Sequence, residues 1–145
     1  MTAVVSFRFR TRAEERLAGR EIRIRDPRLQ GLVRLDGPAL RLEWSGTVSR
    51  VEVRGPEVHS EVEQIPITRL EIPVGRLAGF TVGGWLRPRV ELRATELETL
   101  DGVPTAHLGH VRLWIPRREI ATARRLAADV EIAMADEALR LAEEA

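Results

Sequence analysis

Residues 31–44, with the sequence GLVRLDGPALRLEW, contain the clearest structural signal in the chain. Apolar and polar residues alternate on both sides of Asp36, Gly37 and Pro38, as they do in strands that bury one face. A glycine next to a proline between two such runs is typical of a tight turn. The stretch therefore predicts a β-hairpin.

The same β pattern extends outward from this hairpin over Ala3 to Ile115. We expect strands around residues 5–9 and 22–24, a short helical turn over residues 12–17, and further strands over residues 48–53, 58–67, 70–74, 86–92 and 108–115. The phase of the alternation shifts after Pro66, which predicts a bulge or bend there. Pro88 predicts that its strand lies at a sheet edge or begins irregularly.

The period of the pattern changes after Pro116. Apolar residues then recur at steps of three and four, which is the spacing of one helix face: Ile120, Ala123, Ala127, Val130, Met134, Ala138 and Leu141. Pro116 suits the first position of a helix because its missing N–H would have no partner there. Since no glycine or proline interrupts the segment, we expect one helix that continues to Ala145.

The composition indicates one globular domain. The chain has 145 residues, of which 43% are hydrophobic and 31% charged, so we expect a single domain over residues 1–145, with an N-terminal strand extension over about residues 1–19. The absence of cysteine excludes disulfides and thiolate chemistry. No apolar run is long enough for a membrane span or a secretory signal, which predicts a cytoplasmic location. All 23 basic residues are arginine, a bias that we expect of a GC-rich bacterial genome.

Three stretches resemble the bacterial pleckstrin-homology-like (PH-like) family. Residues 31–40 resemble its opening hairpin, residues 64–70 (QIPITRL) its Ile-Pro-aliphatic strand, and residues 108–116 its last strand, which runs into the helix. The resemblance covers roughly residues 30–131. It implies a mainly β fold, a bent antiparallel sheet or partly open barrel that is capped by one long C-terminal α-helix.

Two adjacent arginines, Arg117 and Arg118, lie at the predicted start of the final helix. Free N–H groups and the helix dipole favour an anion at this end of a helix. The positive charges of both arginines are unfavourable beside the positive end of the helix dipole, which suggests that they have a function. We predict that they bind a phosphate or a partner's carboxylate, and the alternative is a solvated helix start without a ligand.

The final helix is charged against its dipole, because four of its five arginines come early and most of its acidic residues come late. Packing of its apolar face must therefore hold it in place. If the helix outruns the sheet, Met134, Ala138 and Leu141 become exposed. We predict an interface for self-association at these three residues, and the alternative is a helix that folds back over its own sheet.

Motifs that carry catalytic chemistry are missing from the sequence. It has no G-x-S-x-G, no H-E-x-x-H and no phosphate-binding loop, so we expect no enzyme activity and no cofactor. His107 and His110 would point to opposite faces of a strand, which predicts no metal site. The net charge of +1 and the lack of aromatic residues beside the arginines of residues 20–28 argue against nucleic acid as a partner.

These features favour a non-enzymatic protein-interaction or scaffold module that self-associates as a homo-oligomer or binds a protein partner. Two alternatives stay open. One is a small-molecule or lipid-binding β-barrel with an apolar cavity. The other is a binder of anionic membranes or phosphate through the start of the C-terminal helix.

Overall fold

The computed structural model describes residues 3–9, 13–17 and 20–145, with side chains for residues 3–9, 28–49, 51–53 and 55–145. Within these ranges the chain forms eight β-strands followed by one α-helix. The strands are β1 (Val4–Arg8), β2 (Ala13–Leu17), β3 (Arg20–Asp36), β4 (Ala39–Arg54), β5 (Glu57–Pro73), β6 (Leu77–Gly83), β7 (Arg89–Ala94) and β8 (His110–Trp114). The helix α1 covers Ile120–Glu144, and 3-10 turns cover Val74–Arg76, Leu97–Leu100 and Arg117–Glu119.

All strand pairs between these elements are antiparallel. Seven strands form one sheet in the order β5-β4-β3-β1-β8-β7-β6, and β2 pairs with β3. The sheet curls into a half-barrel, and α1 packs against β6, β1 and β3. This architecture confirms the predicted fold class, a bent antiparallel sheet of PH-like form that is capped by one long C-terminal helix. Membership of the PH-like family stays a prediction.

The hairpin predicted from residues 31–44 is the β3–β4 hairpin. Asp36 pairs with Ala39, so Gly37 and Pro38 form a two-residue turn. Gly37 has a φ of +59°, which glycine adopts without the steric cost that a Cβ would add. The turn therefore fixes the register of the hairpin, and with it which side chains point into the core.

Strands β3, β4 and β5 are longer than the sequence pattern predicts, with 17, 16 and 17 residues. Each joins two segments that the pattern separates. In β3, residues 26 and 27 lie opposite a single residue of β4, and in β5, residues 66 and 67 do the same. These are β-bulges, which bend a strand without ending it. The bend predicted near Pro66 is confirmed.

The core lies inside the curl of the sheet. The alternation of residues in β1 and directly after it places apolar side chains in this core. Val5, Phe7 and Phe9 are buried, whereas Ser6 and Arg8 face the other side. The rings of Phe7 and Phe9 pack edge to face, with centroids 5.1 Å apart. This geometry suits the charge distribution of aromatic rings. Strand β1 thus supplies large apolar side chains to the centre of the half-barrel.

Gly31 allows the strands at this centre to approach each other closely. It pairs with Phe7 of β1 and with Trp44 of β4. A Cβ at Gly31 would lie 1.9 Å from the carbonyl oxygen of Glu43 and 2.8 Å from the ring of Phe7. Only a residue without a side chain fits here, so Gly31 sets how tightly the sheet can bend at β1, β3 and β4.

The helix α1 packs on the sheet through its first half. Ala123, Leu126 and Val130 are buried, and Met134 is half-buried against the core. A Cβ at Gly75 would lie 3.5 Å from the side chain of Glu137, so the helix runs beside the body of the domain as far as this residue. Residues 138–144 are all exposed. The helix therefore outruns the sheet by about two turns.

Two local predictions are wrong, and a third holds only in one of its two alternatives. Ala13–Leu17 is the strand β2, paired with β3, and not a helical turn; residue 12 lies outside the described residues. Of the two alternatives for the strand after Pro88, the edge position is wrong, because β7 lies between β6 and β8; the irregular start fits, since Pro88 directly precedes the first residue of β7. Pro116 is not in the first turn of α1, because the 3-10 turn Arg117–Glu119 separates it from the helix.

Candidate functional site

The candidate site lies where β1 and β8 diverge. The two strands pair at a single position, Arg8 with Trp114. Beside β1 the chain then continues as the 3-10 turn Arg117–Glu119. The backbone N–H of Ser6 donates a hydrogen bond to the Glu119 carboxylate at 3.2 Å, and the Ser6 hydroxyl donates a second. These bonds hold the turn against β1.

An open groove of about 740 Å³ runs along this junction. One wall is formed by β1, β3, β4 and β5, and the other by the β6–β7 loop and the segment from β8 to the 3-10 turn. The groove is lined by Ser6, Phe7, Arg8, Gln30, Gly31, Leu32, Glu43, Trp44, Ser45, Ile67, Leu86, Arg87, Pro88, Trp114, Ile115, Pro116, Arg117 and Arg118. Its volume is in the range of ligand-binding clefts, about 300–1,000 Å³.

Part of the groove lining is apolar and accessible to solvent. Leu32, Ile67 and Leu86 are all exposed, and Trp114 is half-buried. Single exposed apolar residues are common on protein surfaces, but several that face one concave site offer a surface for a partner's apolar groups. The groove can therefore bury apolar groups of a bound molecule.

The charges of the groove are mainly positive. Arg8, Arg87, Arg117 and Arg118 line it and are exposed. Within the part of the chain with described side chains, none of the four forms an ion pair. The one carboxylate in the lining, Glu43, forms an ion pair with Arg69, whose Nε lies 3.2 Å from it. Four guanidinium groups thus line the groove, none of them paired with a described carboxylate, which favours an anionic ligand.

Contacts across the groove's second wall keep it together. A guanidinium nitrogen of Arg117 donates to the carbonyl oxygen of Leu86 at 3.4 Å, and the N–H of Ile115 donates to the carbonyl oxygen of Pro88 at 3.1 Å. The β6–β7 loop is therefore attached to the segment that carries Arg117. Because only part of the Arg117 fork is used, its remaining N–H groups are available to a ligand.

The tip of the β6–β7 loop presents an exposed tryptophan next to the groove. Trp85 is 84% exposed, and its neighbour Leu86 lines the groove. Gly84 has a φ of +83°, and a Cβ there would lie 2.2 Å from the carbonyl oxygen of Arg87. Glycine is thus required for this tight turn, in which Trp85 directly precedes the groove residue Leu86.

Next to the groove, Glu91 organises three basic side chains on the outer face of β7 and β8. Nε of Arg89 lies 2.9 Å from the Glu91 carboxylate, and Arg112 and His110 lie 3.5 and 3.9 Å away. The hydrogen bond from Arg89 is the main cause that lowers the pKa of Glu91; partial burial acts in the opposite direction. The Arg89 guanidinium also lies over the Trp114 ring, 5.8 Å from its centroid. Glu91 therefore helps to fix the wall that carries Trp114.

The two arginines predicted as ligand-binding residues both line the groove. They lie in the 3-10 turn before α1, however, and not in the first turn of the α-helix. Arg8 and Arg87 were not predicted as site residues; they reach the same groove from the N-terminal strand and the β6–β7 loop. The exposed Trp-Leu-Arg sequence at residues 85–87, between a glycine pair and a proline, is the signal that could have indicated the loop.

The predicted interface residues divide into two groups. Met134 packs partly against the core of its own chain. Ala138 and Leu141 are exposed beyond the end of the sheet. The structure thus shows the predicted overhang of the helix, and the predicted self-association through it stays a prediction.

The histidine geometry differs from the prediction. His107 and His110 pair directly across a two-residue turn, so their side chains lie on the same side and not on opposite faces of a strand. Leu108 and Gly109 form the turn, with φ of +51° and +72°. Among the described residues, no group of three or more histidine, aspartate or glutamate side chains is arranged to hold a metal ion.

Comparison of the chain with protein-family models, with curated proteins and with solved structures found no match. In the described part of the chain, α1 is the only long helix, and its sequence is too polar to cross a membrane. The groove is therefore interpreted from its own geometry and charge.

Proposed function

We propose that the chain is a non-enzymatic protein-interaction module, and that its groove binds an acidic segment of a partner protein that also carries apolar side chains. The observation that supports this proposal most strongly is the set of four arginines, Arg8, Arg87, Arg117 and Arg118, without ion-pair partners among the described side chains, around a partly apolar groove.

The chemistry of arginine favours a carboxylate-bearing partner. The guanidinium group is planar and always charged, and its N–H groups match the two oxygens of a carboxylate. Arg117 and Arg118 come from one turn, whereas Arg8 and Arg87 come from a strand and a loop. Their spread along the groove suits several anionic groups on an extended segment better than one compact ion.

The residue types at the groove favour a protein over other anionic ligands. Energetically dominant residues of protein interfaces are enriched in tryptophan and arginine, and they surround apolar contacts from which water is excluded. The exposed Trp85 next to Leu86 in the chain, Leu32 and Leu86 in the lining and the four arginines supply this combination. A free phosphate would leave the apolar residues uncovered.

Peptide display tests the proposal directly. Random peptides are selected on the immobilised chain, and the affinity of enriched peptides is measured by fluorescence anisotropy at two salt concentrations. We expect enriched sequences in which aspartate or glutamate adjoins leucine, isoleucine or an aromatic residue. Because the groove is open, the affinity should fall as salt is raised.

Matched double variants locate the binding site. Arg117→Gln with Arg118→Gln should raise the Kd about tenfold, which corresponds to about 1.4 kcal/mol for two partly exposed ion pairs. Arg76→Gln with Arg93→Gln removes the same charge from exposed positions outside the groove and should leave the Kd within about twofold of the wild-type value. Equal effects of the two double variants would contradict the proposal.

Two further probes distinguish other anionic ligands. Vesicles of phosphatidylcholine with phosphatidylserine, and inorganic phosphate, are tested against the same variants. Enrichment of neutral or basic peptides would refute the proposal. Failure to enrich any peptide, together with vesicle binding that needs Arg117 and Arg118, would refute it in favour of a membrane surface.

A further inference from the structure

The helix α1 carries a second apolar stripe on the side that faces away from its own sheet. The stripe consists of Ala128, Ile132, Ala135, Leu139 and Ala142, all of which are exposed. Ile132 and Leu139 are 61% and 63% exposed. The residues buried on the sheet, such as Val130, lie nearly opposite, because two residues along a helix correspond to a rotation of about 200°. The stripe is thus separate from the face that packs on the sheet.

The spacing of this stripe is that of a helix–helix seam. Its residues follow each other at steps of four, three, four and three, as do the apolar positions of a coiled coil. Alanine alternates with a larger residue along the stripe. In an antiparallel pair of such helices, each isoleucine or leucine can pack against an alanine of the other helix, which lets the two backbones approach closely.

The charges of the helix favour a second copy in antiparallel orientation. Arg124 and Arg125 lie in its first turns and Glu143 in its last turn, whereas Glu144 is paired with Arg140 of its own helix at 2.7 Å. Within one helix these charges oppose the macrodipole. An antiparallel neighbour places the acidic end of one helix beside the basic start of the other, and it also aligns the two dipoles favourably. A parallel pair would place like charges together.

We infer that the chain forms a homodimer through this stripe, with the two helices antiparallel. In this register Ile132 packs against the partner's Ala135, and Leu139 packs against the partner's Ala128. Arg124 then comes level with the partner's Glu143. The surface does not include the groove, so the inference goes beyond the proposed function and does not depend on it. It also uses a different helix face from Met134, which packs on its own core.

Sedimentation velocity over a wide range of protein concentrations tests the homodimer. We expect a reversible monomer–dimer equilibrium for the wild-type chain. Leu139→Glu should weaken it at least tenfold. Leu141→Glu provides a matched control, because Leu141 is a similarly exposed leucine of the same helix, at 52%, and lies outside the stripe. Circular dichroism and thermal unfolding confirm that both variants fold.

A charge swap tests the orientation. Arg124→Glu and Glu143→Arg should each weaken the dimer, whereas the double variant should restore the wild-type equilibrium. The groove variant Arg117→Gln with Arg118→Gln should dimerise normally, so loss of peptide binding and loss of dimerisation are distinguishable.

Three results would overturn the inference. The first is a strict monomer at the highest concentration. The second is a dimer that Leu141→Glu dissociates and Leu139→Glu does not. The third is a double charge variant that is no tighter than either single variant.

Discussion

Replacing Leu126 by alanine tests how the helix is held on the sheet. Leu126 is fully buried, with 0% of its surface exposed. Truncation of a fully buried leucine costs about 2–5 kcal/mol of unfolding free energy, because apolar burial is lost and a cavity is left. Alanine is the better helix former of the two residues, so helix propensity cannot cause such a loss.

The matched comparison is Leu141→Ala in the overhanging end of the same helix. Leu141 is 52% exposed, and a surface substitution of this kind changes stability by about 0.5 kcal/mol or less. Thermal unfolding, followed by circular dichroism at low protein concentration, should show a Tm lowered by roughly 4–20 °C for Leu126→Ala. Leu141→Ala should lower it by no more than about 2 °C.

A loss of unfolding free energy of similar size in Leu126→Ala and Leu141→Ala would refute this reasoning. It would mean that the end of α1 is packed as firmly as its first half, so that residues 138–144 are not an overhang. A loss of less than about 1 kcal/mol for Leu126→Ala would equally contradict the burial of this residue. Urea unfolding provides a second measure, since an unchanged m-value shows that only stability has changed.

Two further predictions concern the sheet. Gly31→Ala places a Cβ 1.9 Å from the carbonyl oxygen of Glu43 and should cost more than about 1 kcal/mol in urea unfolding. Gly79→Ala, whose Cβ meets nothing within 4 Å, should cost less than about 0.5 kcal/mol; equal costs would rule out the close approach at Gly31. The hydrogen bond from Arg89 lowers the pKa of Glu91 in the folded chain, so the ionised carboxylate stabilises the folded state. This stabilisation is fully present above the ordinary glutamate pKa of about 4.3, and it is lost as the pH falls through the lower pKa of the folded state. Glu91→Gln should therefore be less stable at neutral pH and lose less stability in acid than the wild-type chain, and an identical pH profile of Tm would contradict this role.

Local signals in the sequence were sufficient for the elements that depend on neighbouring residues. The turn at Gly37 follows from a glycine between two alternating runs. The steps that join Ala123 to Val130 predict part of the buried face of α1, although the predicted stripe did not include the buried Leu126. The fold class could also be predicted. Most of the chain has an alternating pattern, and one helical pattern follows it, so few arrangements of the strands and the helix are possible.

Long-range pairing could not be predicted from these signals. Strand β1 lies between β3 and β8, which are distant from each other in the sequence. The alternation within residues 5–9 indicates a strand but does not identify its partners. Residues 12–17 contain good helix formers, and pairing of Ala13–Leu17 with β3 overrides that local preference. The bulges in β3 and β5 also interrupt the alternation, so the sequence pattern does not show that each of them is one continuous strand.

For the same reason, only two of the four arginines of the groove could be predicted from the sequence. Arg117 and Arg118 attract notice because they are adjacent at the start of a helix. Arg8 lies more than a hundred residues earlier in the chain, and it reaches the groove only because β1 meets β8 there. A site whose members come from separate elements has no spacing motif, so the fold must be known before the site can be assembled.

Binding of an acidic peptide to the groove is the central claim, and NMR spectroscopy of the arginine and tryptophan side-chain N–H groups tests it most directly. On addition of an enriched acidic peptide, we expect the signals of Arg117, Trp85 and Trp114 to shift in a saturable manner, while those of Arg76 and Arg93 stay in place. The same peptide with glutamine for glutamate should cause no saturable shift. Shifts confined to residues outside the groove, or equal shifts with both peptides, would contradict the claim.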